Sequence, residues 1–324
     1  MHPLLVLPAP KYSGNNLVLF NTLRTFKHPF RLMPDIISNR TGNHFKFLDS
    51  ARGIAALMVF GSHFIARNFQ EKMNVRYSFF LFNGNDAVSF FFVLSGFVLS
   101  YKYIVLGHEM DVRKFYVSRV FRLFPPYFII VLLSTLYAYR NEFDFATMRD
   151  TFIYNKNEFW EEALLFRFHN KRYYPGWTLT LEMLCSFLIP FYIALALKNK
   201  KFIPYLIVVT LIVGNNLLFS YLLLFGIVAT TNYHEITSLS FRESKWYKYR
   251  YFILAAAIIL FSIRQIHGIS PLGPTFLYLQ DYLGLDFYTY TGLSCFVFLV
   301  GILHSKKAQR FLEHKVLVFL GKIS

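Results

Sequence analysis

Residues 87–106 read AVSFFFVLSGFVLSYKYIVL, twenty residues in which Lys102 is the one charge. An α-helix of that length reaches about 30 Å, which matches the hydrocarbon core of a bilayer. The run is therefore read as a membrane-spanning helix, and the rest of the chain follows it. The 324 residues are 55% hydrophobic, 20% aromatic and 16% charged, with a mean hydropathy of +0.38. A soluble domain carries about 25% charge. Collagen-like, disordered and disulfide-scaffold classes are excluded, and the expected fold is all-α, a polytopic membrane helical bundle.

Five further runs are clear: Leu48 to Ala66, Val120 to Tyr139, Thr178 to Leu197, Phe252 to Ile266 and Phe287 to His304. Between Phe202 and Thr230 a long apolar stretch is interrupted by Gly214, Asn215 and Asn216, so it is one over-long helix or two short ones. Loop charge decides. Placing the basic N-terminus inside puts Lys102 to Arg122 and Lys198 to Lys201 inside. Arg242 to Arg250 and Lys306 to Lys315 join them only if residues 202–230 cross twice. About eight complete spans result. A ninth is expected to begin, and to be cut off, in VLVFLGKIS, residues 316–324.

The chain then divides into a basic cytoplasmic extension, residues 1–46, and a membrane domain, residues 47–324. An outer loop over residues 140–176 carries six Lys or Arg against six Asp or Glu and is long enough to form a lid. The formal charge of +16 is spread over short loops, which fits topology and not nucleic acid, so no nucleic-acid partner is expected. Cys185 and Cys295 lie in separate runs with no CxxC, so no disulfide and no metal site is expected. No internal repeat is visible, which speaks against a repeat-built transporter.

Ionisable residues inside apolar runs cost several kcal/mol unless paired or hydrated, so they are where function is sought. Asp49 and Arg52, three apart, share one helical face near the inner surface, as an ion pair at a helix start or as part of a site. His63 lies about 16 Å further along that helix, toward the outer side. It is a packing hydrogen-bonder or, because an imidazole titrates near neutrality, a general base. Glu182, five residues after Trp177, enters from the outer side to a similar depth. It either reaches out to water or orients His63. Arg119 and Arg122, again three apart, form a fork suited to phosphates or serve as ordinary inner-side anchors. Ser89, Ser95 and Gly96 permit close helix packing.

Taken together and in order, these groups resemble the signature blocks of the acyltransferase-3 family of integral-membrane O-acyltransferases. Phe47 to Phe64 resembles its first-helix block, with Asp49, Arg52-Gly53 and the terminal His63. Phe90 to Leu99 is similar to its FFxLSGF block, Phe115 to Tyr127 to its Arg-rich, Pro-ending block, and Trp177 to Glu182 to its tryptophan-to-glutamate block. Tyr221 to Ala229 is similar to a later phenylalanine-glycine helix. Departures are Ser50-Ala51 for Gly-Leu, Ser118 for an Arg and Thr178 for a Ser. FLGKIS resembles the start of a final block whose His-bearing continuation does not follow.

The resemblance implies transfer of an acyl group, acetyl in the first instance, from acyl-CoA to a hydroxyl of a carbohydrate or cell-surface glycan. It implies His63 and Glu182 as catalytic residues, and Arg52, Arg119 and Arg122 as donor-binding. Asp49, Ser95, Trp177 and Thr178 are expected to contact substrate. The expected setting is the cell membrane, bacterial inner membrane by family, with the lipid bilayer, a glycan acceptor and a partner subunit or second copy as partners. The rival readings are a transporter or flippase of a lipid-linked glycan and a non-catalytic membrane subunit.

Overall fold

The computed structural model describes residues 45–69, 83–141, 144–155, 158–166, 176–213, 219–262 and 287–324. Nearly all of the expected N-terminal extension, and much of the expected outer loop after residue 166, lie outside the described residues.

Every regular element among the described residues is helical. In chain order these are α1 (Lys46–Phe69), α2 (Gly84–Ile104), α3 (Val112–Ala138), α4 (Phe145–Phe152), α5 (Phe159–Ala163), α6 (Gly176–Lys198) and α7 (Phe202–Val213). There follow α8 (Ser220–Thr231), α9 (Tyr233–Thr237), a 3-10 turn (Ser240–Glu243), α10 (Lys245–Lys248), α11 (Arg250–Phe261), α12 (Phe287–His304), α13 (Lys306–Leu312) and α14 (Lys315–Ile323).

The run that opened the sequence is α2. Asn83 caps it by accepting the amide of Asp86, which places a carboxylate in the first turn and Lys102 in the last, both favourable to the helix dipole. Helix α3 starts eight residues before the expected Val120. The carboxylate of Asp111 accepts the Lys114 amide at 3.0 Å and caps a helix that carries the basic residues continuously through Pro125 and Pro126. Residues 202–230 form two helices, α7 and α8.

By length and apolarity α2, α3 and α6 can each cross a membrane, and α12 with α13 counts as a fourth if their 96° bend is one broken span. The expected count of eight is not established, because α7, α8 and α11 have 12 residues each. Twelve residues reach only about 18 Å.

Two ends of the bundle are defined by contacts. At one, Phe45 before α1 meets Tyr101 of α2 at 4.8 Å, Tyr101 meets Tyr233 after α8 at 5.0 Å, and His304 Nδ1, ending α12, bonds the Ile236 carbonyl at 2.9 Å. At the other, the Asn83 amide donates to the carbonyl of Phe261, ending α11, at 2.8 Å, and Phe219 before α8 meets Trp177 of α6 at 5.9 Å and Tyr288 of α12 at 4.7 Å. Lys102, Arg113, Lys198, Arg250 and Lys306 all belong to the first, basic end.

Close packing depends on two glycine contacts. A Cβ on Gly226 of α8 would strike the Val93 carbonyl and stand 2.5 Å from the Phe97 amide of α2, and a Cβ on Gly96 would strike the Leu223 carbonyl. The backbones therefore touch, and Ser100 Oγ donates to Thr230 Oγ1 across the same interface at 2.8 Å. Gly226→Ala is expected to destabilise the bundle by about 1–3 kcal/mol, because the atoms in the way are backbone and cannot rotate aside. A thermal midpoint in detergent equal to that of the parent would refute this. The second contact sets α14 on α1: a Cβ on Gly53 would lie 2.6 Å from the Gly321 amide. The expected ninth run is thus a helix laid against the start of the first.

Candidate functional site

Helices α3 and α6 are joined by polar contacts inside apolar surroundings. Tyr116 OH donates to the Phe187 carbonyl at 2.9 Å, and one turn later Arg119 Nη2 donates to Glu182 Oε1 at 2.7 Å. Ser186 Oγ accepts from Arg119 Nε at 3.2 Å and Nη2 at 3.1 Å while donating to the Glu182 carbonyl at 2.7 Å. The Arg119 side chain is 8% exposed and that of Glu182 30%. A cation is therefore held in the bundle interior by a carboxylate and a hydroxyl from a single helical face, Glu182 and Ser186 being four residues apart.

Beside this pair is a cavity of about 370 Å³ between α1, α2, α3 and α6. Its wall includes Arg52 and His63 from α1, Ser95 from α2, Arg119 and Arg122 from α3, and Trp177, Thr178 and Glu182 from α6. Eight of the nine site residues that the resemblance implies thus share one space. Asp49 is not in the wall. It contacts Arg52 at 3.4 Å at the start of α1, under the crossing with Gly321 of α14.

The sequence reading left Glu182 to reach water or to orient His63, and set Arg119 with Arg122 as a fork or as anchors; it did not join Arg119 to Glu182. Arg119 is held by Glu182 and Ser186 instead. The reason is geometric: antiparallel packing of α3 on α6 puts Arg119 level with residues 182–186, well inside the bundle and away from its rim. Arg122, one turn on, is exposed in the cavity and makes no ion pair among the described residues. His63 is exposed into the same space.

Two polar residues were not foreseen: Ser186, which holds Arg119 from outside the wall, and Asn85 in the wall. Ser186 could have been found from its spacing, since it follows Glu182 by one helical turn. Asn85, in the first turn of α2, carries no signal in sequence beyond its polarity. Apart from Ser324, the remaining wall is apolar, with Val88, Phe91, Phe92, Leu99 and Leu123 among its members. Three guanidinium groups against one carboxylate give the space a net positive charge, which suits an anionic ligand with an apolar or extended body. Among the described residues no group of three His, Cys, Asp or Glu side chains is arranged to hold a metal ion. Cys185 and Cys295 are buried, unbridged and on different helices.

An all-helical bundle with membrane-spanning helices around a charged internal cavity defines an integral membrane protein with a ligand site between its helices. The family model described as an acyltransferase domain, acyltransferase-3, matches residues 45–324, and the chain belongs to that family. It is accordingly a membrane acyltransferase. No match was found among curated proteins or among solved structures.

Proposed function

We propose that the protein moves an acyl group from acyl-CoA to a hydroxyl of a carbohydrate or cell-surface glycan, acetyl being the expected group. The observation that carries this reading is the cavity itself, which joins His63 to three guanidinium groups in one space. The positive-inside rule assigns the basic end of the bundle, and with it the start of α1, to the cytoplasm, where acyl-CoA is found. Arg52 and Arg122 suit the donor's phosphates. Arg119, held by Glu182 and Ser186, supplies a fixed positive charge for the oxyanion that forms as the thioester carbonyl is attacked. His63 takes the proton of the acceptor hydroxyl as the new ester bond forms, and returns it to the departing thiolate as the C–S bond breaks. Trp177 and Thr178 offer a ring face and a hydroxyl to a sugar.

The test is purified protein with labelled acetyl-CoA and a glycan pool, following thioester loss and label transfer. Arg122→Ala is expected to raise the apparent donor Km roughly 10- to 100-fold with a smaller change in kcat, since a charge-assisted contact is worth about 1.5–3 kcal/mol. An unchanged Km would remove Arg122 from the donor site. Movement of a glycan with no covalent change would replace the whole reading with transport.

A further inference from the structure

The segment 144–166 is not used in that reading, and its surface is unusual. It packs onto α3 through a small core of its own: Phe159 and Ala163 are buried against Tyr127 and Val131, with Phe128, Phe152, Leu165 and Leu179 around them. Tyr127 OH donates to the Glu162 carbonyl at 2.8 Å, and Trp160 Nε1 donates to the Phe152 carbonyl at 2.8 Å, tying α5 to α3 and to the end of α4. Outside this core the segment leaves large apolar side chains uncovered. Phe145 is 80% exposed, Ile153 71% and Phe166 77%, and Tyr154, Trp160 and Leu164 are also exposed.

Water is a poor solvent for such a surface, and the adjoining helix indicates what replaces it. Only 17% of the apolar stretch of α3 is buried within the structure, and its Phe121, Ile129, Leu133 and Tyr137 are exposed. In a helix that can cross a membrane these residues face lipid. The segment continues from that helix after its C-cap at Tyr139, so its own apolar residues extend the same lipid-facing surface past the helix end. Aromatic residues at that level belong to the interfacial belt.

We propose that residues 144–155 and 158–166 form a membrane-docking strap, lying in the boundary between headgroups and acyl chains beside the end of α3, with its exposed aromatic and aliphatic residues inserted into the bilayer. The attraction is apolar and not electrostatic, because the segment has five carboxylates against two basic residues. It therefore does not select anionic lipid. The strap also supports the site: Leu179, which its core encloses, is part of the cavity wall between Thr178 and Glu182. Bilayer contact at the strap thus bears on the wall that carries Trp177.

The experiment needs no catalysis, so it stands or fails apart from the acyl-transfer reading. Single cysteines at Phe145, Ile153 and Phe166 are spin-labelled, the native Cys185 and Cys295 being buried, and the protein is placed in phosphatidylcholine nanodiscs. Collision with oxygen is expected to exceed collision with a water-soluble nickel chelate at all three sites, giving depths of about 5–10 Å below the phosphates. The exposed Lys200→Cys serves as the water-side reference. Trp160 gives a second readout if a labelled variant fails to fold. With Trp177 and Trp246 changed to Phe, lipids brominated high on the acyl chain should quench it more than lipids brominated near the chain end. Nickel access equal to that of the Lys200 reference, or no bromine quenching, overturns the proposal. Insertion that appears only when anionic lipid is added overturns its apolar basis.

Discussion

His63→Ala is expected to lower kcat by about 10²- to 10⁴-fold, the range for removing a general base, while leaving the protein folded. The two halves of this expectation rest on different observations. His63 lines the cavity with its side chain exposed, so its loss removes little packing and leaves the Gly96–Gly226 and Gly53–Gly321 contacts intact. The same cavity contains the fixed cation Arg119, so in the proposed mechanism the variant loses the proton acceptor and keeps the oxyanion partner. Because the cavity holds about 370 Å³, free imidazole should enter the vacated space and restore part of the turnover. Equal turnover in parent and variant, with matching elution and thermal midpoint, would end the assignment of His63 as base. Loss of folding in the variant would convert His63 to a packing hydrogen-bonder.

The membrane bundle and several ionisable members of the cavity wall were legible in the sequence because both depend on short-range regularities. The twenty-residue run from Ala87 to Leu106, charged only at Lys102, fixes a helix by length alone, and Arg52, His63 and Glu182 of the wall stand out because charge inside such runs is costly. The two helices in residues 202–230 were legible from loop charge. Partnership was not. Whether Arg119 answers Arg122 or Glu182 depends on how far α3 slides along α6, and no periodicity within either helix records that offset. The early start of α3 escaped because a single side chain, Asp111, caps it in a stretch that reads as a basic loop. The number of crossings also escaped, since α7, α8 and α11 are too short for length to decide. Length makes the outer loop over residues 140–176 long enough for a lid, whereas the uncovered side chains within it, Phe145, Ile153 and Phe166 foremost, point to lipid.

Replacing either member of the Arg119–Glu182 pair is expected to destabilise the protein, and by unequal amounts. Glu182→Leu leaves the Arg119 guanidinium, 8% exposed, with Ser186 as its one remaining partner among the described residues. A buried cation stripped of its carboxylate costs about 3–5 kcal/mol. Arg119→Leu leaves Glu182, whose side chain is 30% exposed and lines the cavity, so it can be hydrated there. Its loss should cost about 1–3 kcal/mol, the range for an unsatisfied polar group. In the double variant neither charge remains, and stability should return to near the parental value, because well-packed apolar residues of similar volume replace a buried pair at little net cost. Thermal midpoints of the four proteins in one detergent give the coupling directly, and equal losses in both single variants, or additive losses in the double, would refute a buried pair. Turnover separates the pair's structural and chemical roles. A stable double variant with no acyl transfer means that the reaction uses a charge of the pair, that of Arg119 at the oxyanion or that of Glu182. A stable double variant that still turns over makes the pair a brace between α3 and α6, and moves oxyanion stabilisation to Arg52, Arg122 or the Asn85 side chain in the same wall.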